Sequence, residues 1–303
     1  DELNFSTSRY INAHIDYKEK KESKKKYHRC YKLPHNKLTN YSEIINEGII
    51  NIKDTLPHLI SLEVTDIYGN ISDLDFNVKS TNNPFLTRCP LPIDTINTPF
   101  SLDKVNVFKK ENMELHMEAF SLYEPLIFHY NTIDSVDGVY GKVHQVHYNN
   151  TPVHKKYVLS LNAEIADSLK ERSYIATTDL KGNFWYIGGK WINGFIKTKT
   201  REFGNFCIIT DTIIPEITGV NIYPGKIFNT QSTIKCTIKD NDSGIKNYRG
   251  EIDGKWILMD YDYKNNLLRF DIDKNISKGK HTFTLEVEDN VGNKKDYKAA
   301  FIY

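Results

Sequence analysis

Three histidines fall close together in the stretch KVHQVHYNNTPVH: His144, His147 and His154. Imidazole is a common zinc ligand, and three of them are enough for a site that leaves a position open for water. The spacing opposes that use. Residues three apart on a strand point to opposite faces, so His144 and His147 meet at one ion only if the chain turns between them. The more economical reading is of surface or hydrogen-bonded histidines on a hairpin. A second candidate is the run Asp240-Asn241-Asp242-Ser243-Gly244, followed by Glu251 at the twelfth position from Asp240. Asp240 and Asp242 are the carboxylates that a calcium loop would use. Ile245, however, stands sixth, where the sharp turn of such a loop requires glycine, and the flanks are strand-like rather than helical. This run reads as a polar turn between strands, with weak calcium binding left open. Trp185, Trp191 and Trp256 are the third set, as anchors for stacking a sugar ring. Tryptophans of a β-sandwich serve the core more often than a ligand.

No further pattern assembles a catalytic centre. H-E-x-x-H, G-x-S-x-G, the P-loop and the glycine-rich dinucleotide fingerprint are all missing from the sequence. With 40 basic and 39 acidic side chains the net charge is +1, without the basic excess of a phosphate-binding groove, so a nucleic-acid partner is not expected. Lys18–Lys26 (KEKKESKKK) is a local exception and reads as a solvated loop or hairpin tip. Cys30, Cys89, Cys207 and Cys236 form no C-x-x-C pair. They are compatible with disulfides in an oxidising compartment, in any of three pairings, or with buried thiols. No apolar run is long enough to span a bilayer.

The elements that would position these residues are strands. Aromatics make up 12% of the chain, with 19 tyrosines and 15 phenylalanines, and such side chains suit a half-buried pleated surface. A turn phrase, Asp-x-x-Gly-Asn, recurs at Asp66–Asn70, Asp179–Asn183 and Asp289–Asn293. Glycine supplies positive φ, asparagine tolerates it and aspartate caps the bend, so each copy predicts a hairpin. Alternating runs such as His281–Val287 carry Phe283, Leu285 and Val287 on one face. Polar, proline-bearing segments at Ser80–Pro84 and Thr210–Ile217 read as linkers. The expected fold class is therefore all-β: tandem immunoglobulin-like β-sandwich modules over 1–80, 84–212 and 214–303. Ala163–Arg172 is the best helix candidate, and Tyr41–Asn46 a possible helical turn. The first module has few strands for a sandwich, and its opening strands are expected ahead of Asp1.

Longer phrases carry a resemblance. They include Ser8–Tyr17 (SRYINAHIDY), His28–Pro34 (HRCYKLP), Asn46–Asn51 (NEGIIN), Thr151–Tyr157 (TPVHKKY), Lys199–Phe206 (KTREFGNF) and Ser243–Trp256 (SGIKNYRGEIDGKW). In this order they resemble the region that follows the catalytic domain in lysostaphin-type (LytM-like) zinc metallopeptidases of the Bacteroidetes. The resemblance implies a parent protein that hydrolyses peptide cross-links in peptidoglycan, with zinc held by an H-x-x-x-D pair and the second histidine of H-x-H. Neither motif occurs here, so no catalytic residue is carried over, and zinc is expected in the parent's catalytic domain rather than in this chain. It further implies an exported, periplasmic or envelope location and a partner in peptidoglycan or an envelope protein. The expected role is a non-catalytic region that spaces or docks the peptidase domain. The alternatives are an independent glycan- or protein-binding module anchored by the tryptophans, and a hydrolase centred on His144, His147 and His154.

Overall fold

The computed structural model describes residues 10, 14–38, 41, 43–80, 96–134, 136–229, 232–272 and 276–303. The chain divides into two compact units, Asp1–Thr95 and Ile96–Tyr303. Cys89, most of the expected Ser80–Pro84 linker and part of the Ser8–Tyr17 phrase lie outside the described residues.

In the first unit the lysine-rich run is helical over its first part, as α1 (Tyr17–Ser23), and leaves the helix over Lys24–Lys26. Asp16 caps it by accepting from the Glu19 amide at 3.0 Å, and Lys24 ends it in the left-handed conformation. Glu19 in the first turn and Lys20 and Lys21 in the last complement the helix dipole. The expected solvation holds, since no residue of α1 is buried. The possible helical turn at Tyr41–Asn46 does not form as a right-handed helix; the short 3-10 segment at Asn46–Gly48 is a bend with positive φ at all three residues. The hairpin β1 (His58–Thr65) and β2 (Ile71–Val78) follows, closed by Asp66–Asn70. The register places Ile60 opposite Phe76 and Leu62 opposite Leu74, so one face is apolar. No residue of either strand is buried.

The second module contains β3 (Ile96–Phe100), β4 (Asn106–Lys110), β5 (Met113–Met117), β6 (Leu126–Ile133), β7 (Tyr140–Val146), β8 (Tyr157–Leu161), α2 (Asp167–Lys170), β9 (Ser173–Thr178), β10 (Phe184–Gly188), β11 (Lys190–Ile192), β12 (Phe195–Thr200) and β13 (Gly204–Thr210). Two sheets form, with strand orders β10-β9-β13-β7-β6-β3 and β11-β12-β8-β5-β4. Period-two patterning fills the space between them. Met113, Leu115 and Met117 of β5 are fully buried, while His116 between them is exposed. Phe100 stacks on Phe128 at 4.4 Å, and Phe206, Leu159 and Ile196 complete the core. The expected ten-residue helix at Ala163–Arg172 shrinks to the four residues of α2, because its start has no side-chain cap and β9 takes the chain from Ser173.

The third module contains β14 (Glu216–Thr218), β15 (Lys226–Ile227), β16 (Thr233–Lys239), β17 (Ile245–Ile252), β18 (Lys255–Ile257), β19 (Asp260–Asp262), β20 (Leu267–Asp271), β21 (Lys280–Asp289) and β22 (Lys294–Ile302). Its sheets run β14-β16-β20-β19 and β15-β22-β21-β17-β18. Ile234, Cys236 and Ile238 of β16 face Phe283, Leu285 and Val287 of β21 in one core. These are tandem β-sandwiches of immunoglobulin-like type. Cys207 and Cys236 are buried free thiols, pushed up to about 12 and about 11 by burial, and Cys30 is free and exposed.

The second and third modules belong to one compact unit. Phe206-Cys207-Ile208-Ile209 of β13 is buried without interruption. Phe206 and Ile208 serve the sandwich core. Cys207 and Ile209 point the other way, into a second cluster with Val143, Tyr174 and Ala176. Val291 of the third module packs against that cluster. The segment after β13, expected as a linker, is thus a fixed seam.

Candidate functional site

The seam brings three carboxylates together. Asp211 leaves the end of β13, Asp240 follows β16, and Asp289 ends β21. Each continues an apolar series: Cys207, Ile209 and Asp211; Ile234, Cys236, Ile238 and Asp240; Phe283, Leu285, Val287 and Asp289. Two-residue periodicity carries each carboxylate inward, where an apolar side chain would otherwise stand. Asp211 is 1% exposed and Asp289 0%. One oxygen from each of the three carboxylates lies within 4.8 Å of the others.

Local turn chemistry holds each one in place. Asp289 Oδ1 accepts from the amides of Val291 (2.9 Å) and Asn293 (2.8 Å), and its Oδ2 accepts from Asn293 Nδ2 (2.6 Å). Asp240 Oδ1 accepts from the amides of Asp242 (3.1 Å) and Gly244 (2.7 Å). Asp211 accepts from its own turn, Ile213 N at 2.9 Å, and across the seam from Ser243 N at 3.2 Å. Two further bonds tie the modules together. Asn293 Nδ2 donates to the Asp211 carbonyl at 3.1 Å, and Arg172 Nη1 donates to the Val291 carbonyl at 2.8 Å. Burial first, then the charges of Asp211 and Asp289, push the Asp240 carboxyl above the usual range, against the opposing hydrogen bond from the Gly244 amide. Asp242 moves the same way through burial and then the charge of Asp211.

Beside the carboxylates a cleft of about 390 Å³ opens between the modules. Tyr174, Asn183, Trp185 and Thr210 line it from the second module, and Asn241 and Asp242 from the third. The sequence candidates Trp185 and Asp242 therefore meet at one place. Trp185 is 53% exposed, whereas its neighbours Phe184 and Tyr186 pack into the cluster behind the seam. Trp191 is elsewhere and occupied: its Nε1 donates to Ser173 Oγ at 2.7 Å, and Lys170 lies over its ring. Trp256, exposed on β18, is not part of the cleft. The three tryptophans do not build one platform.

The histidines are also separated by their surroundings. His144 Nδ1 lies 2.8 Å from the Tyr130 hydroxyl. His147 Nδ1 accepts from the His129 amide at 3.2 Å, and its ring stacks on that of His129 at 5.5 Å. His154 meets the edge of Tyr123 at 5.1 Å. Burial, with a smaller contribution from Lys142 or His129 respectively, lowers both His144 and His147 to about 4. Among the described residues, the only trio of His, Cys, Asp or Glu placed to share an ion is Asp211, Asp240 and Asp289. Asp242 is not in it, and Asp211 and Asp289 are the ligand-type residues that motif reading missed. Their signal was present: an apolar alternation that ends in aspartate at an inward position.

Fold and seam define the class, tandem immunoglobulin-like β-sandwiches locked through a buried polar joint. Within that class, residues 97–211 match the family model of a Zu5-like domain, whose last matched residue is the seam aspartate. No curated protein matches the chain. Among solved structures, the endo-beta-1,4-mannanase from Thermotoga petrophila is similar at 14% identity and a TM-score of 0.25, over 30% of this chain and 20% of that one. Fibronectin(III)-like modules of Clostridium thermocellum CbhA are similar at 11% identity and a TM-score of 0.25, over 49% of this chain and 85% of that one. The chain spans only a fifth of the mannanase, and neither likeness bears on function. No helix among the described residues is long and apolar enough to cross a membrane.

Proposed function

We propose that this chain is a non-catalytic accessory region of a cell-envelope peptidoglycan metallopeptidase, and that it spaces or docks the peptidase domain at its substrate. The observation that carries the reading is the seam. Asp211, Ser243, Asn293, Arg172 and Val291 bond two sandwiches into one body, and a stiff body holds a tethered domain at a set reach. Tethering raises the effective concentration of a catalytic domain near an insoluble substrate without new contacts to the scissile bond. The substrate class and the exported location rest on the resemblance of the sequence phrases to lysostaphin-type peptidases.

The test compares a lysostaphin-type peptidase domain alone with the same domain joined to this chain. Hydrolysis of insoluble sacculi should rise with the chain in cis, while hydrolysis of a soluble cross-linked muropeptide should not. Equal rates on sacculi, or release of fragments by this chain alone, overturn the reading.

The cleft favours a second reading, a glycan-binding module. An exposed indole beside amide, hydroxyl and carboxylate groups suits the apolar face and the hydroxyls of a sugar. Titration with soluble peptidoglycan fragments would then give a saturable change in tryptophan fluorescence, lost in Trp185→Ala and kept in Trp256→Ala. A flat titration removes it.

A further inference from the structure

Three carboxylates share the seam, two of them almost wholly buried. Buried charge is costly unless it is paired, so such a cluster calls for a counter-charge. No lysine, arginine or histidine among the described residues forms an ion pair with Asp211, Asp240 or Asp289. Arg172, a cationic side chain at the seam, donates a hydrogen bond from Nη1 to the Val291 carbonyl.

A separate observation points to a ligand. Ser243 is 2% exposed, and its hydroxyl has no hydrogen-bond partner. A buried polar group left unmade is uncommon and requires a reason. The Ser243 amide donates to Asp211 Oδ2 at 3.2 Å, and a serine hydroxyl lies within about 4 Å of its own amide nitrogen. Covalent geometry therefore keeps this oxygen within about 7 Å of the Asp211 carboxylate.

We infer that Asp211, Asp240 and Asp289, with the Ser243 hydroxyl as a neutral fourth oxygen, bind one hard divalent cation of the calcium type across the joint. An all-oxygen donor set with no imidazole or thiolate suits calcium or magnesium rather than zinc or copper. Carboxylates fixed by turn amides on separate strands favour the ion with the more permissive geometry, which is calcium. The loop is not an EF-hand: its ligands come from three turns rather than one twelve-residue segment, and Glu251, paired with Arg249, takes no part. Asp211 belongs to the connection between modules and the other two to the third sandwich, so the ion stiffens the joint whatever the chain is attached to. Sequence distance hides the site, because Asp211 and Asp289 stand 78 positions apart.

The test uses the whole chain, stripped with EDTA, titrated calorimetrically with calcium chloride and in parallel with magnesium chloride, and melted in EDTA and in millimolar calcium. Calcium should bind at close to one equivalent, more tightly than magnesium, and raise the melting temperature. Asp240→Asn, at the half-buried position, should weaken calcium by more than about tenfold. In EDTA the same variant should melt no lower than the wild type, because a repelling charge has gone. The inference is overturned if the wild type takes up no calcium and melts identically in both buffers. It is equally overturned if Asp240→Asn lowers the melting temperature by the same amount with and without calcium, since the carboxylates then act only as acceptors for turn amides. The wild-type arms decide the matter even if the variant does not fold.

Discussion

A buried histidine acts through its protonation, and this molecule holds its histidines in opposite ways. His144 and His147 sit at about 4 because burial penalises the imidazolium. Their folded-state values are below the ordinary 6.5, so folding is favoured fully above that pH. The contribution is lost as pH falls from about 6.5 toward 4, when the unfolded chain takes up protons that the folded one refuses. His281 has the reverse sign. Its Nδ1 faces Asp253 Oδ2 at 2.6 Å and its Nε2 faces the Ser277 carbonyl at 2.7 Å, so both nitrogens meet acceptors and the charged ring is favoured. That contribution is present below 6.5 and fades as pH rises through the raised value. Thermal melts between pH 7.5 and 4.5, a range of about three units, should therefore show a steep net loss of stability on the acid side. His144→Gln, which keeps an acceptor for Tyr130 but does not titrate, should make the acid loss shallower. Asp253→Asn should depress the melting temperature more at pH 6 than at pH 8, values on either side of about 6.5. An unchanged acid slope in His144→Gln would contradict the assignment.

Strands and turns differ in how firmly the sequence specifies them. Phe283, the centre of the β21 series, is fully buried between the two sheets. Phe283→Ala should cost about 3–5 kcal/mol, read as a drop in denaturant midpoint with an unchanged slope. The β1–β2 hairpin stands at the other extreme, with Leu59, Leu62, Val64, Leu74 and Phe76 all exposed. Two strands with no buried face are marginal, so its amides should exchange with deuterium well before those of β5, β8 and β21. Equal protection would sink that expectation. The elements read best from sequence are the ones with local causes. All three Asp-x-x-Gly-Asn phrases form the expected turns, and at each the aspartate accepts from the amides two and four residues on. What escaped was set by partners distant in the chain or by a cap. Lys18–Lys26 became partly helical because Asp16 caps it, a short-range signal overlooked beside the charge run. The Thr210–Ile217 segment read as a linker because its composition is polar, but Ser243, Asn293 and Arg172, 32 to 82 residues away in direct or adjacent bonds, make it a joint. The two nearest clues were the uninterrupted Phe206–Ile209 run, which only a strand buried on both faces needs, and the aspartate two places beyond it.

For the molecule as a whole the decisive quantity is whether the second and third sandwiches melt together. Separate beads on a flexible string would give one transition each. Here a continuous apolar cluster behind β13 reaches Val291, and three hydrogen bonds cross from Asp211 and Arg172 to the third module. Interfaces of this kind couple domains when the free energy of docking is comparable to the stability of the weaker partner. Residues Ile96–Tyr303 should therefore unfold as a single calorimetric transition, with van't Hoff and calorimetric enthalpies in agreement. Arg172→Ala removes the bond to the Val291 carbonyl and leaves that carbonyl short of a donor, at a cost of about 1–3 kcal/mol concentrated at the joint. Loss at the joint, with both cores intact, should split the transition rather than merely lower it. Phe283→Ala acts inside one core and should shift the shared transition while keeping it single. Two resolved transitions in the wild type would mean that the joint is too weak to transmit stability, and a stiff spacer would then have no physical basis.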